Sequence, residues 1–144
     1  MFAPQSAPDV SAIRVRRVHA EPGGGRRVLV DRLWPRGVRK DALVMDEWAQ
    51  DVAPSAGLRR AFHGGGLDFE AFREAYRAEL RAGGTGHHDD AAAPGGRAAV
   101  RALLDRWAAS GKDELVLLFA AKDEERTHAR VLAEHLRRVA GQLD

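Results

Sequence analysis

The sequence predicts a single α/β domain, a small mixed sheet flanked by helices, in which an N-terminal hairpin joins a parallel central strand pair. Three observations carry this. Two short apolar runs, Val28-Leu29-Val30 and Leu115-Val116-Leu117-Leu118-Phe119-Ala120, have the unbroken hydrophobicity of strands covered on both faces. Other stretches repeat apolar residues at helical spacing, with charges opposite. Only about eight residues separate the first two strands, fewer than the dozen or so that a parallel crossover normally takes.

Residues 1–11 hold Pro4, Ser6, Pro8 and Ser11 without periodicity and read as a disordered tail, leaving 12–144 as the domain. Ile13-Arg14-Val15-Arg16-Arg17-Val18 alternates and then slips, as an outer strand with one wet face does. Glu21-Pro22-Gly23-Gly24-Gly25 is a turn, and Arg27 to Asp31 is the second strand. Asp41 is placed to cap a short helix presenting Met45, Trp48, Ala49 and Val52 inward, closed by Pro54-Ser55. Ser55 then caps a segment through Phe62. Asp68 to Arg81 is the clearest helix, with Phe69, Phe72, Tyr76 and Leu80 on one stripe. The Gly/Ala/His stretch from Gly83 to Gly96 is low-complexity and reads as a flexible loop. Arg97 to Ala109 returns to helix through Val100, Leu103, Leu104 and Trp107, and Gly111 sits where a helix stop belongs. After the second apolar strand, Lys122-Asp123 opens a last helix through about Val139, packed by Val131, Leu132 and Leu136. There is no internal repeat and no second domain.

Composition narrows the function classes. At 144 residues with 44% hydrophobic and 31% charged residues, the chain has the make-up of a globular domain with its own core. It has no cysteine, which excludes disulfides, thiolate metal sites and cysteine nucleophiles. No apolar run approaches the roughly 18 residues of a membrane span, and the N-terminus lacks the regions of a secretory signal. A cytoplasmic, bacterial protein is the default expectation, with no membrane partner. Only Lys40, Lys112 and Lys122 are lysines among the 23 cations, yet the formal net charge is just +2. A GC-rich genome accounts for the arginines; a guanidinium-rich surface for phosphate is the sharper reading. Acidic residues are interleaved, so no basic stripe argues for nucleic acid.

The chemistry gathers where the two apolar strands end, at Asp31-Arg32-Leu33-Trp34-Pro35-Arg36-Gly37 and at Lys122-Asp123. If the strands are parallel neighbours, both clusters emerge at one carboxyl edge, where open α/β folds bind ligands. A following helix would aim its free amides there. Arg32, Arg36 and Lys122 are the candidate anion holders. Pro35 biases Trp34 toward extended backbone, which would bring Arg32, Trp34 and Arg36 to one side as a stacking and hydrogen-bonding clamp. Asp31 or Asp123 would orient a hydroxyl or act as base, and His63, before Gly64-Gly65-Gly66, is the candidate acid–base group. The scaffold alternative is that Asp31 pairs with Arg36 or Lys122 and Trp34 plugs the core rim. His87-His88-Asp89-Asp90 has metal-ligand residue types, but adjacent side chains on a flexible segment rarely converge on one ion, so no metal is expected. His128 falls near the start of the last helix, facing either the site or water. No phosphate loop, dinucleotide fingerprint or serine elbow occurs, so no cofactor is expected.

These residues resemble a known family. Arg27 through Gly37, Trp48, Ala53-Pro54-Ser55, the Phe72/Tyr76/Glu79-Leu80 helix and Ala120-Ala121-Lys122-Asp123 are similar to the YeaO-like family of small bacterial proteins, in the domain-of-unknown-function group 488. The likeness runs from Ile13 to Leu136. It implies an α/β domain and no assigned biochemical activity. Members often carry asparagine where this chain has Thr127, whose hydroxyl can cap a helix but cannot present an amide.

The sequence therefore leads to a small-ligand site at the carboxyl edge, for a phosphorylated or nucleobase-containing molecule, with or without cofactor-free hydrolase or transferase chemistry. The alternative is a non-enzymatic nucleic-acid or protein-binding module. Whether the chain is an enzyme, and its oligomeric state, the sequence leaves open.

Overall fold

The structure, a computed structural model, describes residues 12–20, 23–82 and 95–141. The elements are β1 (Ile13–Arg17), β2 (Arg26–Leu29), β3 (Glu47–Trp48), α1 (Ala56–His63), α2 (Phe69–Arg81), α3 (Gly96–Ser110), β4 (Leu115–Phe119) and α4 (His128–Gly141). The four strands form one sheet in the order β1-β4-β2-β3. The expected tail and the loop core at 83–94, with the His87-His88-Asp89-Asp90 quartet, lie outside the described residues.

The α/β class is as the sequence predicts, and β2 and β4 form the expected parallel central pair. The N-terminal hairpin is not. β1 and β2 do not pair with each other; each runs parallel to β4, with Ile13 and Arg26 both opposite Leu115. β3 also runs parallel to β2, so the described sheet contains no antiparallel pair. Strand length explains the difference. A return of eight residues reaches roughly 26 Å at about 3.3 Å per residue, which covers a five-residue strand and two strand spacings of about 4.8 Å. A dozen-residue crossover is needed only where a helix must be fitted in.

Gly25 makes the tight entry into β2. Its φ is +90°, and an added Cβ would stand 3.0 Å from the Glu114 carbonyl oxygen. Its neighbour Arg26 donates its amide to that carbonyl at 2.8 Å.

All five residues of β4 are buried, because both faces of the sheet are covered by different material. On one face Leu115, Leu117 and Phe119 join Ile13, Val28 and Val30 under the apolar stripes of α2, α3 and α4. On the other, Val116, Leu118 and Leu29 pack with Val18 against Trp34, Val38, Leu43, Met45 and Trp48. That second cover is an irregular segment. The helix expected after Asp41 does not form: Glu47-Trp48 is strand, and a 3-10 turn at Gln50–Val52 follows. The apolar spacing of Met45, Trp48, Ala49 and Val52 was that of a helix, but the backbone of Asp46 and Ala49 is drawn into hydrogen bonds with β2 carbonyls at Arg27 and Leu29.

α1, α2 and α3 stand close to their predicted bounds, whereas α4 begins only at His128, not after Asp123. Ser55 caps α1 by accepting the Leu58 amide, and Asp68 caps α2 by accepting that of Ala71. Gly111 ends α3 in the left-handed conformation, φ +75°. Among the described residues no helix is long and apolar enough to cross a membrane.

Candidate functional site

Because β2 and β4 are parallel neighbours, the residues that follow them leave the sheet at one edge. The main chain stays paired one residue further, with the Val30 amide donated to the Leu118 carbonyl at 3.0 Å. Asp31 then binds across: its Oδ2 accepts the Ala120 amide at 3.0 Å. Its Oδ1 lies 3.2 Å from His128 Nε2, and that nitrogen is 3.1 Å from the Val30 carbonyl oxygen. Both groups beside Nε2 can only accept, so Nε2 carries the hydrogen. The Asp31 and His128 side chains are 15% and 17% exposed, which makes the pair a pin joining the start of α4 to the ends of β2 and β4.

Beside this pin opens a pocket of about 220 Å³. The segment 31–35 forms one wall, Arg59, Phe62 and His63 of α1 a second, and Arg126, Thr127 and His128 at the approach to α4 a third. Phe62 stacks on Phe72 with ring centroids 4.4 Å apart, which gives an apolar side. Arg32, Arg59 and Arg126 supply three guanidiniums, while Asp31 is the one acid among the lining residues; it accepts the Ala120 amide and lies in ion-pair range of His128. Arg32 is held by Nε donating to the Pro54 carbonyl at 2.9 Å, and its own carbonyl accepts from Gln50 Nε2 at 3.0 Å. Arg59 Nε is buried without a hydrogen-bond partner among the described residues. A cation in that condition has hydrogen-bonding capacity that the fold leaves unused.

The predicted site residues divide. Asp31, Arg32, Trp34 and His63 line the pocket. Arg36, Lys122 and Asp123 do not; all three are exposed. The expected Asp31–Lys122 ion pair is replaced: the two residues leave adjacent strands at one edge, but the carboxylate turns to the Ala120 amide and to His128. The expected clamp fails because the chain does not stay extended. Val38 donates its amide to the Pro35 carbonyl at 3.3 Å around Gly37, φ +80°, and this turn carries Arg36 away. Trp34 is half-buried, donating its indole N–H to the Val38 carbonyl at 2.6 Å and meeting Trp48 edge to face at 5.3 Å. It serves the second core cluster with one side and the pocket with another.

Asp123 does not cap α4 directly. Its Oδ1 accepts the amides of Arg126 and Glu125, bonds that hold its carboxyl below the usual carboxylate range. The helix begins only at His128, after Thr127, whose hydroxyl accepts the Ala129 amide.

Arg59 and Arg126 escape sequence reasoning. Arg59 sits beside Arg60, and Arg126 among the acids of 123–125, on stretches that read as ordinary helix surface; only the packing of α1 on α2, which sets Arg59 beside the approach to α4, singles them out. Among the described residues no group of three or more His, Asp or Glu side chains is arranged to hold a metal ion.

Comparison with known proteins matches residues 12–89 to the model of the "Inactive DUF488-N3 subclade". The chain is 43% identical over 127 residues to "Uncharacterized protein YeaO" of Escherichia coli (strain K12), covering 87% of this chain and 96% of that protein. It is 38% identical over 126 residues to "Uncharacterized protein Rv3073c" of Mycobacterium tuberculosis (strain ATCC 25618 / H37Rv), covering 86% and 92%. No solved structure matches.

Proposed function

Starting from the premise that the chain belongs to the YeaO-like DUF488 family, we propose that it is a non-catalytic binding protein for a small phosphorylated molecule, held in the pocket at the carboxyl edge of β2 and β4. The observation that carries this reading is the unbalanced charge of the pocket. Arg59 and Arg126 face a space with a single lining carboxylate, whose Oδ2 accepts the Ala120 amide, and the Arg59 Nε is buried without a hydrogen-bond partner among the described residues. Guanidiniums bind phosphate oxygens in pairs. The amide end of α4 adds its positive dipole. Phe62, Phe72 and Trp34 supply apolar and stacking surface for the organic part. A volume of about 220 Å³ suits a small phosphate ester.

Binding without chemistry is favoured by two points. Asp31 Oδ2 and His128 Nε2 spend their hydrogen bonds on the fold, with the Ala120 amide and the Val30 carbonyl, and the matched subclade is described as inactive. The test is a thermal-shift and calorimetric screen of inorganic phosphate, sugar phosphates and nucleoside monophosphates against the full chain. A micromolar ligand at millimolar concentration should stabilise by about 4 kcal/mol, and Arg59→Ala should abolish the effect. If no phosphorylated compound stabilises the chain, or Arg59→Ala binds as well as the parent, the reading is wrong. Affinity that instead goes to labelled single-stranded DNA or RNA and falls steeply with salt would replace it with nucleic-acid binding.

A further inference from the structure

A second basic cavity lies on the helical side of the molecule. It measures about 520 Å³, more than twice the first pocket, and is bounded by the end of α2, the start of α3 and the last turns of α4. Arg81, Arg97, Arg101 and Arg138 surround it, and Val100 and His135 line it. Among the described residues the one ion pair made by these four arginines is Arg101 to Asp105, at 3.6 Å on the surface. His135 is only 5% exposed, yet its Nδ1 is buried without a hydrogen-bond partner among the described residues.

Helix electrostatics account for part of this. Arg81 and Arg138 stand in the last turns of α2 and α4, where a cation offsets the negative end of the dipole. Arg97 and Arg101 do not fit that account. They occupy the opening turns of α3, which has no acidic residue in its first turn, so both cations face the positive end of their own helix. Such a placement is a local conflict that a bound anion would remove.

We propose that this cavity is a second ligand site, for a small polyanion bearing two or more linked phosphates. Four guanidiniums around one space exceed what a single phosphate can engage, whereas a chain of phosphates can present paired oxygens to several forks at once. His135 completes the site as a donor or acceptor on its apolar floor. Burial and the neighbouring Arg81 both hold the imidazole's pKa below its usual value.

The experiment is a calorimetric titration of the full chain with tripolyphosphate at low ionic strength, paired with NMR of the histidine rings. The double variant Arg97→Ala/Arg138→Ala removes two exposed arginines and should leave folding intact. It should weaken binding by about tenfold or more, equal to about 1.4 kcal/mol, and the His135 ring resonances should move on titration in the parent. Arg59→Ala, in the first pocket, and Arg14→Ala/Arg16→Ala, on the exposed face of β1, should both bind as the parent does. Tripolyphosphate that does not bind, or that binds the Arg97/Arg138 variant undiminished, overturns the proposal. Equal weakening by the β1 variant would reduce it to diffuse surface charge. If the Arg59 variant alone loses affinity, the polyanion belongs to the first pocket.

Discussion

Asp31 shows how one side chain can define an edge. Its Oδ2 accepts the Ala120 amide, and its Oδ1 lies 3.2 Å from His128 Nε2, in ion-pair range but without a hydrogen bond, because that ring nitrogen is bonded to the Val30 carbonyl. Asparagine has the same shape but only one accepting oxygen, so Asp31→Asn must turn an NH2 group toward one of two N–H donors. A buried donor left without an acceptor costs about 1–3 kcal/mol. Asp31→Asn should therefore lower stability by about that amount in chemical denaturation. A variant as stable as the parent would mean that the pin is not under tension from either partner. The same substitution leaves Arg32, Arg59 and Arg126 in place, so it should not by itself abolish phosphate binding.

At the scale of elements, α1 carries two of the pocket's key side chains, Arg59 and His63, and is only eight residues long with no fully buried residue. A helix so short is held by its ends and neighbours, not by its propensity. Ser55 supplies the hold. Its hydroxyl accepts the Leu58 amide at 3.2 Å, while its own N–H and O–H donate to the two oxygens of Glu79 on α2, at 2.9 and 2.6 Å. Ser55→Ala should cost about 0.5–2 kcal/mol as an N-cap loss, and should weaken ligand binding in the first pocket by loosening Arg59. A binding constant unmoved by Ser55→Ala, with stability reduced, would show that α1 is positioned by Phe62 and Phe72 instead. Ser55 as a cap was legible in the sequence, and so were the buried strand, the stripe of α2 and the stop at Gly111. Each is a local rule acting within one turn or one strand. The order of the strands was not legible, because β4, arriving last in the chain, slots between β1 and β2, and no local pattern records an insertion from about ninety residues away. Arg59 was illegible for the same reason: its place in the pocket depends on α1 packing on α2 beside the approach to α4.

At the scale of the whole molecule, the edge strand β3 is only two residues long, and an ionic bridge secures it. Glu47 binds Arg26 of β2 at 2.8 Å with one oxygen and Arg106 of α3 with the other, so a single carboxylate ties two strands and a helix together. Burial alone would raise its pKa, but the hydrogen bonds and charges of Arg106 and Arg26 outweigh burial and hold it below its ordinary value of 4.5. The sign of the pH dependence follows. A carboxyl whose folded pKa is depressed contributes stability that is fully present above the unfolded value and disappears as pH falls through the folded one. Stability should thus be level in this respect above pH 4.5 and decline below it. Glu47→Gln removes the titrating group, so it should lower stability at neutral pH and flatten the acid limb of the stability curve. Breaking a fully buried pair costs roughly 3–5 kcal/mol; with Arg106 41% exposed, solvent screens part of the interaction and about 2 kcal/mol is expected. Denaturation curves of both proteins from neutral pH to pH 3 decide it. Parallel acid limbs would mean that other carboxyls govern acid unfolding and that the bridge through Glu47 contributes little to the hold on β3.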